Sequence, residues 1–170
     1  PPVLAVLAAV AARSRLELVE VGAGDDPVGP AGSDDAALLE RFAAALTPRT
    51  RLVLLSHVTW RTGRRLPIGP MAGLARRVDA WLAVDGAQAV GAVPVVLAEA
   101  APDVYAFSGY KWLLGPHGVG AVARSPRFMA EARPGPFGLD EGGPGASVHR
   151  PSVVAMGRTV GWLEMYVGLG

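Results

Sequence analysis

Lys111 is the one lysine among the 16 basic residues of this chain, Gln88 is its one glutamine, and asparagine is absent. In a sequence so poor in amines and amides, an isolated Lys or Gln marks a position where its chemistry has no substitute. Asp85 stands three residues before Gln88, and Ser108 and Tyr110 stand three and one before Lys111. A carboxylate, an amide, hydroxyls and an amine gathered in one crevice meet the needs of a pyridoxal 5'-phosphate site. The lysine forms an imine with the aldehyde, and a buried acid keeps the pyridine nitrogen protonated so that the ring can act as an electron sink. Hydroxyl or ring donors take the phosphate. Asp85 has the chemistry for the ring nitrogen, and the Gln88 amide can donate to the phenolic oxygen. The competing readings are a solvated Lys111, a turn carboxylate at Asp85, and local backbone partners for Gln88 and Ser108.

Such groups must be brought together by secondary structure. Leu52 to Leu55 is continuously apolar within a strand expected over 51–57, as in a parallel sheet covered on both faces. Trp81 to Val84 reads as a second buried strand stopping at Asp85, and Val104 to Phe107 as a third ending at Ser108. Helices are expected over 35–46, with Leu38, Leu39, Phe42 and Leu46 on one face, and over 71–80, while 93–99 reads as a short connection. The sequence predicts an α/β fold with a doubly wound, mostly parallel sheet and helices on both faces. Residues 118–123 form another apolar strand, too close to Ser108 for a helical crossover, so this strand is expected to run antiparallel. Flanking these are an expected helix over 3–12, an alternating strand over 16–21, loops over 22–32 and 133–145, and a last helix over 153–167. In open α/β sheets ligands bind beyond the carboxyl ends of the strands, where the loop after His57, Asp85 with Gln88, and Ser108 with Lys111 all fall.

Composition narrows the partners. An apolar fraction of 51% over 170 residues supplies one ordinary domain with a core, and 16 basic against 15 acidic residues leave no electrostatic footprint for nucleic acid. The longest apolar run is too short to span a bilayer, so no membrane partner is expected and the chain reads as soluble and cytoplasmic. Cysteine is absent, which removes a thiolate metal site or cysteine nucleophile from these residues, and the three histidines are too scattered for a metal motif.

Three segments carry a resemblance: Leu55-Ser56-His57-Val58-Thr59-Trp60-Arg61-Thr62-Gly63, Val84-Asp85-Gly86-Ala87-Gln88-Ala89-Val90-Gly91, and Phe107-Ser108-Gly109-Tyr110-Lys111-Trp112 with Gly115-Pro116-His117-Gly118-Val119-Gly120. In order and spacing they resemble the large-domain core of class V aminotransferases, the group of cysteine desulfurases, isopenicillin N epimerase-like proteins and kynureninase. The resemblance implies the aspartate aminotransferase fold. It also implies that Lys111 is the Schiff-base lysine, Asp85 the partner of the pyridine nitrogen, Gln88 the contact to the phenolic oxygen, and Ser108 and Tyr110 phosphate ligands. Tyr110 stands where desulfurases usually carry His and kynureninase carries Tyr.

The sequence also departs from the family pattern. Trp60 stands where desulfurases present Asn, and Gly143 where many members place a Thr that reaches the neighbouring subunit's phosphate. Arg61, Arg64 and Arg65 read either as clamps for a substrate carboxylate or as solvated loop residues, and His57 either as a catalytic or ring contact or as a strand-end histidine satisfied by backbone. Family members are much longer. The resemblance therefore implies that residues 1–170 form a single, partial cofactor-binding large domain, without the N-terminal phosphate cup and the C-terminal small domain. The implied function is a pyridoxal phosphate enzyme acting on an amino acid by transamination, lyase or epimerase chemistry. It would work as a homodimer with shared sites, Glu141 to Gly145 crossing to the partner. The alternative is a non-catalytic α/β interaction module, or pseudoenzyme fragment, that has lost full cofactor binding.

Overall fold

A computed structural model of the chain describes residues 7–8, 11–12, 16–22 and 35–131. The loop over 133–145, the helix over 153–167, Gly143 and nearly all of the loop over 22–32 lie outside the described residues, and the first expected helix is described only at 7–8 and 11–12, which are helical. The elements in order are α1 (Asp35–Ala45), β1 (Leu52–Ser56), α2 (Ile68–Arg77), β2 (Trp81–Asp85), α3 (Leu97–Ala100), β3 (Val104–Ser108), β4 (Gly120–Arg124) and α4 (Pro126–Glu131). The strands form one sheet in the order β1-β2-β3-β4. β1 and β3 both pair parallel to β2, while β4 pairs antiparallel to β3 with Ser108 opposite Gly120, as the short connection between them requires.

α2 starts three residues earlier than its apolar pattern suggests, because Pro70 lies within its first turn, where the missing N–H has no intrahelical role. The helix ends at Arg77, and Asp79 takes a left-handed conformation (φ 58°) that returns the Ala80 N–H to the Ala75 carbonyl at 3.0 Å. Asp is one of the few residues that visits this region at modest cost, and here it turns the chain directly into β2. Residues 97–100, the first three of which fall in the connection expected over 93–99, make a single helical turn closed by Ala101 in the left-handed region (φ 46°).

The core lies between α1, α2 and one face of the sheet. Leu38 and Phe42 meet Met71, Ala72 and Ala75, and these close over Leu82, Val84 and Tyr105. Each large apolar side chain buried here contributes about 1.5–3 kcal/mol. Residues of the other parity are less covered: Leu52 and Leu54 are 49% and 36% exposed among the described residues. The strand expected over 16–21 does not form. Leu16 and Val19 are exposed and the segment is irregular, since no described strand runs beside it to complete a ladder. Among the described residues no helix is long and apolar enough to cross a membrane, and no group of three His, Cys, Asp or Glu side chains is placed to hold a metal.

Asp103 fastens the end of the sheet opposite the strand carboxyl termini. Its side chain is buried, Oδ2 accepts the Leu82 N–H at 2.9 Å and Oδ1 accepts the Ser125 hydroxyl at 3.1 Å. Its backbone also bonds both residues, donating to Leu82 O and accepting from Ser125 N. The entry to β3 is thereby tied to β2 and to the end of β4. Asp103→Ala strands a buried N–H and is expected to lower the unfolding free energy of the intact protein by about 1–3 kcal/mol. Urea unfolding measures this, and an unchanged midpoint would contradict the assignment.

Candidate functional site

The parallel register sets Ser56 and Asp85, the last residues of β1 and β2, side by side, with Ala106 in the middle of β3 next to Asp85. The ladder runs one step further, with His57 N–H donating to Asp85 O at 2.9 Å and Gly86 N–H to Ala106 O at 2.7 Å. Strand alternation puts Asp85 and Ser108 on the face opposite Val84 and Tyr105. Asp85 Oδ1 accepts the Ala87 N–H at 2.8 Å, an Asx-type turn that fixes the carboxylate at the strand end. Oδ2 takes no hydrogen bond from the described residues.

Beneath this turn lie two buried polar rings. His57 Nδ1 and the Tyr105 hydroxyl are 2.8 Å apart, with the rings edge to face. A Cβ on Gly86 would collide with the Tyr105 ring, so only glycine lets the Asp85 turn settle on it. Burial, and then the Arg65 guanidinium, lower the His57 pKa below 6.5. Burial first, and the Asp85 carboxylate second, push the Tyr105 phenol up to about 12, against a smaller opposing effect of Arg65. A neutral imidazole and an un-ionised phenol share this one hydrogen bond, its direction following the imidazole tautomer.

Lys111 sits in a turn braced by Gly109 N–H to Val119 O (2.7 Å), Gly115 N–H to Gly109 O (2.9 Å) and Leu114 N–H to Lys111 O (3.1 Å). This turn is pressed against the one that follows Asp85. Gly91 (φ 89°) has no Cβ, which would stand 2.7 Å from the Trp112 carbonyl carbon, and the Trp112 indole N–H donates to Gln88 Oε1 at 3.0 Å. Tyr110 stacks on His117, with ring centroids 4.8 Å apart. Ser108 is buried at the end of β3, and its Oγ is the one buried side-chain polar atom without a hydrogen-bond partner among the described residues.

The structure thus brings the Asp85–Gln88 turn against the Lys111 turn, with Ser108 at the strand end between β3 and Lys111. It ties up two of the three loop arginines read as clamp candidates: Arg64 pairs with Asp35 at 3.4 Å and Arg65 donates to Pro94 O at 3.4 Å. Trp60 is 69% exposed. Tyr105, Trp112 and His117 are the neighbours that sequence reading missed. Tyr105 was the most findable, because the β3 alternation places it on the core face, where a phenol needs a partner.

The aminotransferase class-V family model matches residues 27–142. The chain belongs to the class-V aminotransferase family. It is 49% identical over 94 residues to an isopenicillin N epimerase of Amycolatopsis lactamdurans, covering 55% of this chain and 23% of that protein. It is 38% identical over 103 residues to a probable cysteine desulfurase of Mycolicibacterium paratuberculosis, covering 59% and 15%. The chain therefore spans about a quarter or less of these curated relatives. Among solved structures, the cystine C-S lyase C-DES with its product cysteine persulfide superposes with a TM-score of 0.68 at 34% identity, over 79% of this chain and 35% of that one. A lysine-to-alanine C-DES variant, with glycine covalently linked to its pyridoxal phosphate cofactor, superposes at 0.63 and 31% identity, over 79% and 34%. For this class-V chain, the buried partnerless Ser108 hydroxyl and the open Asp85 Oδ2 fit a ligand that brings an anion to one and a protonated nitrogen to the other.

The His57–Tyr105 pair gives stability a defined pH window. Below about pH 6.5 the unfolded chain takes up a proton at His57 that the folded state resists, so stability falls with pH until the lowered folded pKa is passed. Above pH 10 the unfolded chain loses the Tyr105 proton that the folded state keeps to about 12, so stability falls there too. Urea titrations across pH check both limbs. In His57→Gln the acid-limb contribution of this group is expected to vanish, and an unaltered acid limb would contradict it.

Proposed function

We propose that this chain forms the cofactor-holding core of a pyridoxal phosphate enzyme acting on an amino acid. The observation that carries the reading is the buried Ser108 Oγ without a partner, three residues before the one lysine and beside the Asp85–Gln88 turn. In this reading Lys111 Nζ holds the cofactor aldehyde, Asp85 Oδ2 faces the pyridine nitrogen, Gln88 donates to the phenolic oxygen, and Ser108 and Tyr110 reach the phosphate. When bound, the cofactor supplies an electron sink for a carbanion at Cα.

The chain's own residues do the rest. Asp85, held by the Ala87 N–H above the Tyr105–His57 pair, would keep a proton on its partner nitrogen. Lys111 Nζ would hold the cofactor and, as a free amine, would take and return the substrate Cα proton. It emerges from a braced turn and forms no hydrogen bond or ion pair among the described residues, so nothing competes for its amine. Stacking on His117 fixes the direction of the Tyr110 ring. Proton transfer at Cα is the step shared by transamination, lyase and epimerase outcomes. Support for an amino-acid substrate comes from the relatives, an epimerase, desulfurases and a cystine lyase among them.

Lys111→Ala in the intact protein is expected to abolish borohydride fixation of cofactor within this chain, because it has no second lysine side chain. Fixation persisting at an internal site would reject the role. Asp85→Ala is expected to bind cofactor more loosely and nearly to stop exchange of the substrate Cα proton, and undiminished exchange would reject that role in turn. We further propose a two-fold dimer with shared sites, resting on the resemblance and on the commonness of closed two-fold interfaces. Light scattering tests it: a monomer that retains cofactor and activity would exclude it.

A further inference from the structure

We infer that Trp112 is a positioning residue that sets the direction of the Gln88 amide. The inference rests on the cofactor reading above and extends it to a side chain that reading does not use. An indole N–H can only donate. Its 3.0 Å contact therefore selects Oε1 of Gln88 and rejects Nε2, and the amide cannot turn over without losing the bond. A glutamine free at this turn would present either its oxygen or its NH2 to the crevice. With Oε1 engaged, both Nε2 protons remain without a partner among the described residues, and the group presents only donors. A donor-only amide suits an ionised phenolic oxygen and disfavours a protonated one.

The indole is itself placed by the backbone. The Trp112 main chain packs where a Cβ on Gly91 would stand, 2.7 Å from its carbonyl carbon, and Leu114 N–H closes the turn on Lys111 O at 3.1 Å. The position of the ring thus follows from the same close approach that sets Lys111. Trp112 and Lys111 are adjacent in sequence, so one rigid turn delivers the amine and, through the indole, orients the amide. Trp112 is 56% exposed among the described residues, so its contact acts on direction more than on stability.

The test is a double-mutant cycle on pyridoxal phosphate dissociation from the intact protein, read with the ratio of the visible to the near-ultraviolet absorbance band. Trp112→Phe keeps an aromatic ring and removes the donor. It is expected to weaken cofactor binding by about two- to tenfold, the span of one neutral hydrogen bond, and to lower the visible band. Gln88→Ala is expected to lose at least as much. Adding Trp112→Phe to Gln88→Ala should cost nothing further, because Trp112 then has nothing to orient. Gln88→Glu separates the two contacts: in the cofactor-free protein it keeps an acceptor for the indole, so the Trp112 indole N–H stays protected from exchange, yet cofactor binding weakens as in Gln88→Ala. Additive losses in the cycle, or a Trp112→Phe protein with unchanged affinity and bands, overturn the positioning role alone. Failure of the unsubstituted protein to bind pyridoxal phosphate overturns the cofactor reading and this role with it.

Discussion

Parallel, in-register pairing of β2 between β1 and β3 is the constraint from which the rest follows. Parallel ladders align strands of one polarity, and here Ser56 and Asp85, the last residues of β1 and β2, arrive beside Ala106 of β3. The ladder continues past the strands through His57 N–H to Asp85 O and Gly86 N–H to Ala106 O, so the chain is still held by its neighbours where the loops begin. A one-residue slip of β2 would send Asp85 to the face that holds Leu82 and Val84 and bring an apolar side chain in its place. Asp103 makes that slip expensive at the other end, because both of its carboxylate oxygens and both of its backbone groups are committed to β2 and to the residue after β4.

On this frame the two chemical turns approach by omission of side chains. Gly86 lets the Asp85 turn rest on Tyr105, and Gly91 lets the Trp112 backbone come within contact of the loop after Gln88. Neither approach survives a Cβ without movement of a buried ring or of main chain. The Trp112–Gln88 bond then spans a joint that the glycines have already closed.

Polar groups in the buried layer fall into two kinds. His57 with Tyr105, and Asp103 with Leu82 and Ser125, are paired inside the fold, and pairing offsets the cost of burial. Ser108 Oγ is buried and unpaired. Among the described residues it is the one such orphan, at the end of β3, three residues before Lys111.

Sequence alone determined the strands, their polarity and the residues at their ends. Continuous apolar stretches at 52–55, 81–84 and 104–107 marked three strands of one parallel sheet, β1 lying at its edge among the described residues, and the short gap to 118–123 left no length for a crossover, so β4 had to run antiparallel. The one lysine, the one glutamine and the Asp-Gly-Ala-Gln and Ser-Gly-Tyr-Lys spacings marked the candidate site, because such side chains have few substitutes. Local periodicity misled at 16–21, since alternation fits a strand only where a neighbour lies alongside, and at the start of α2, where Pro70 is harmless in a first turn. Only tertiary structure decided that Tyr105 would meet His57, Trp112 would meet Gln88 and His117 would stack on Tyr110. Contacts of the first two kinds join residues 48 and 24 positions apart. Their geometry depends on the sheet register and on two glycine approaches, which no local pattern of side chains encodes.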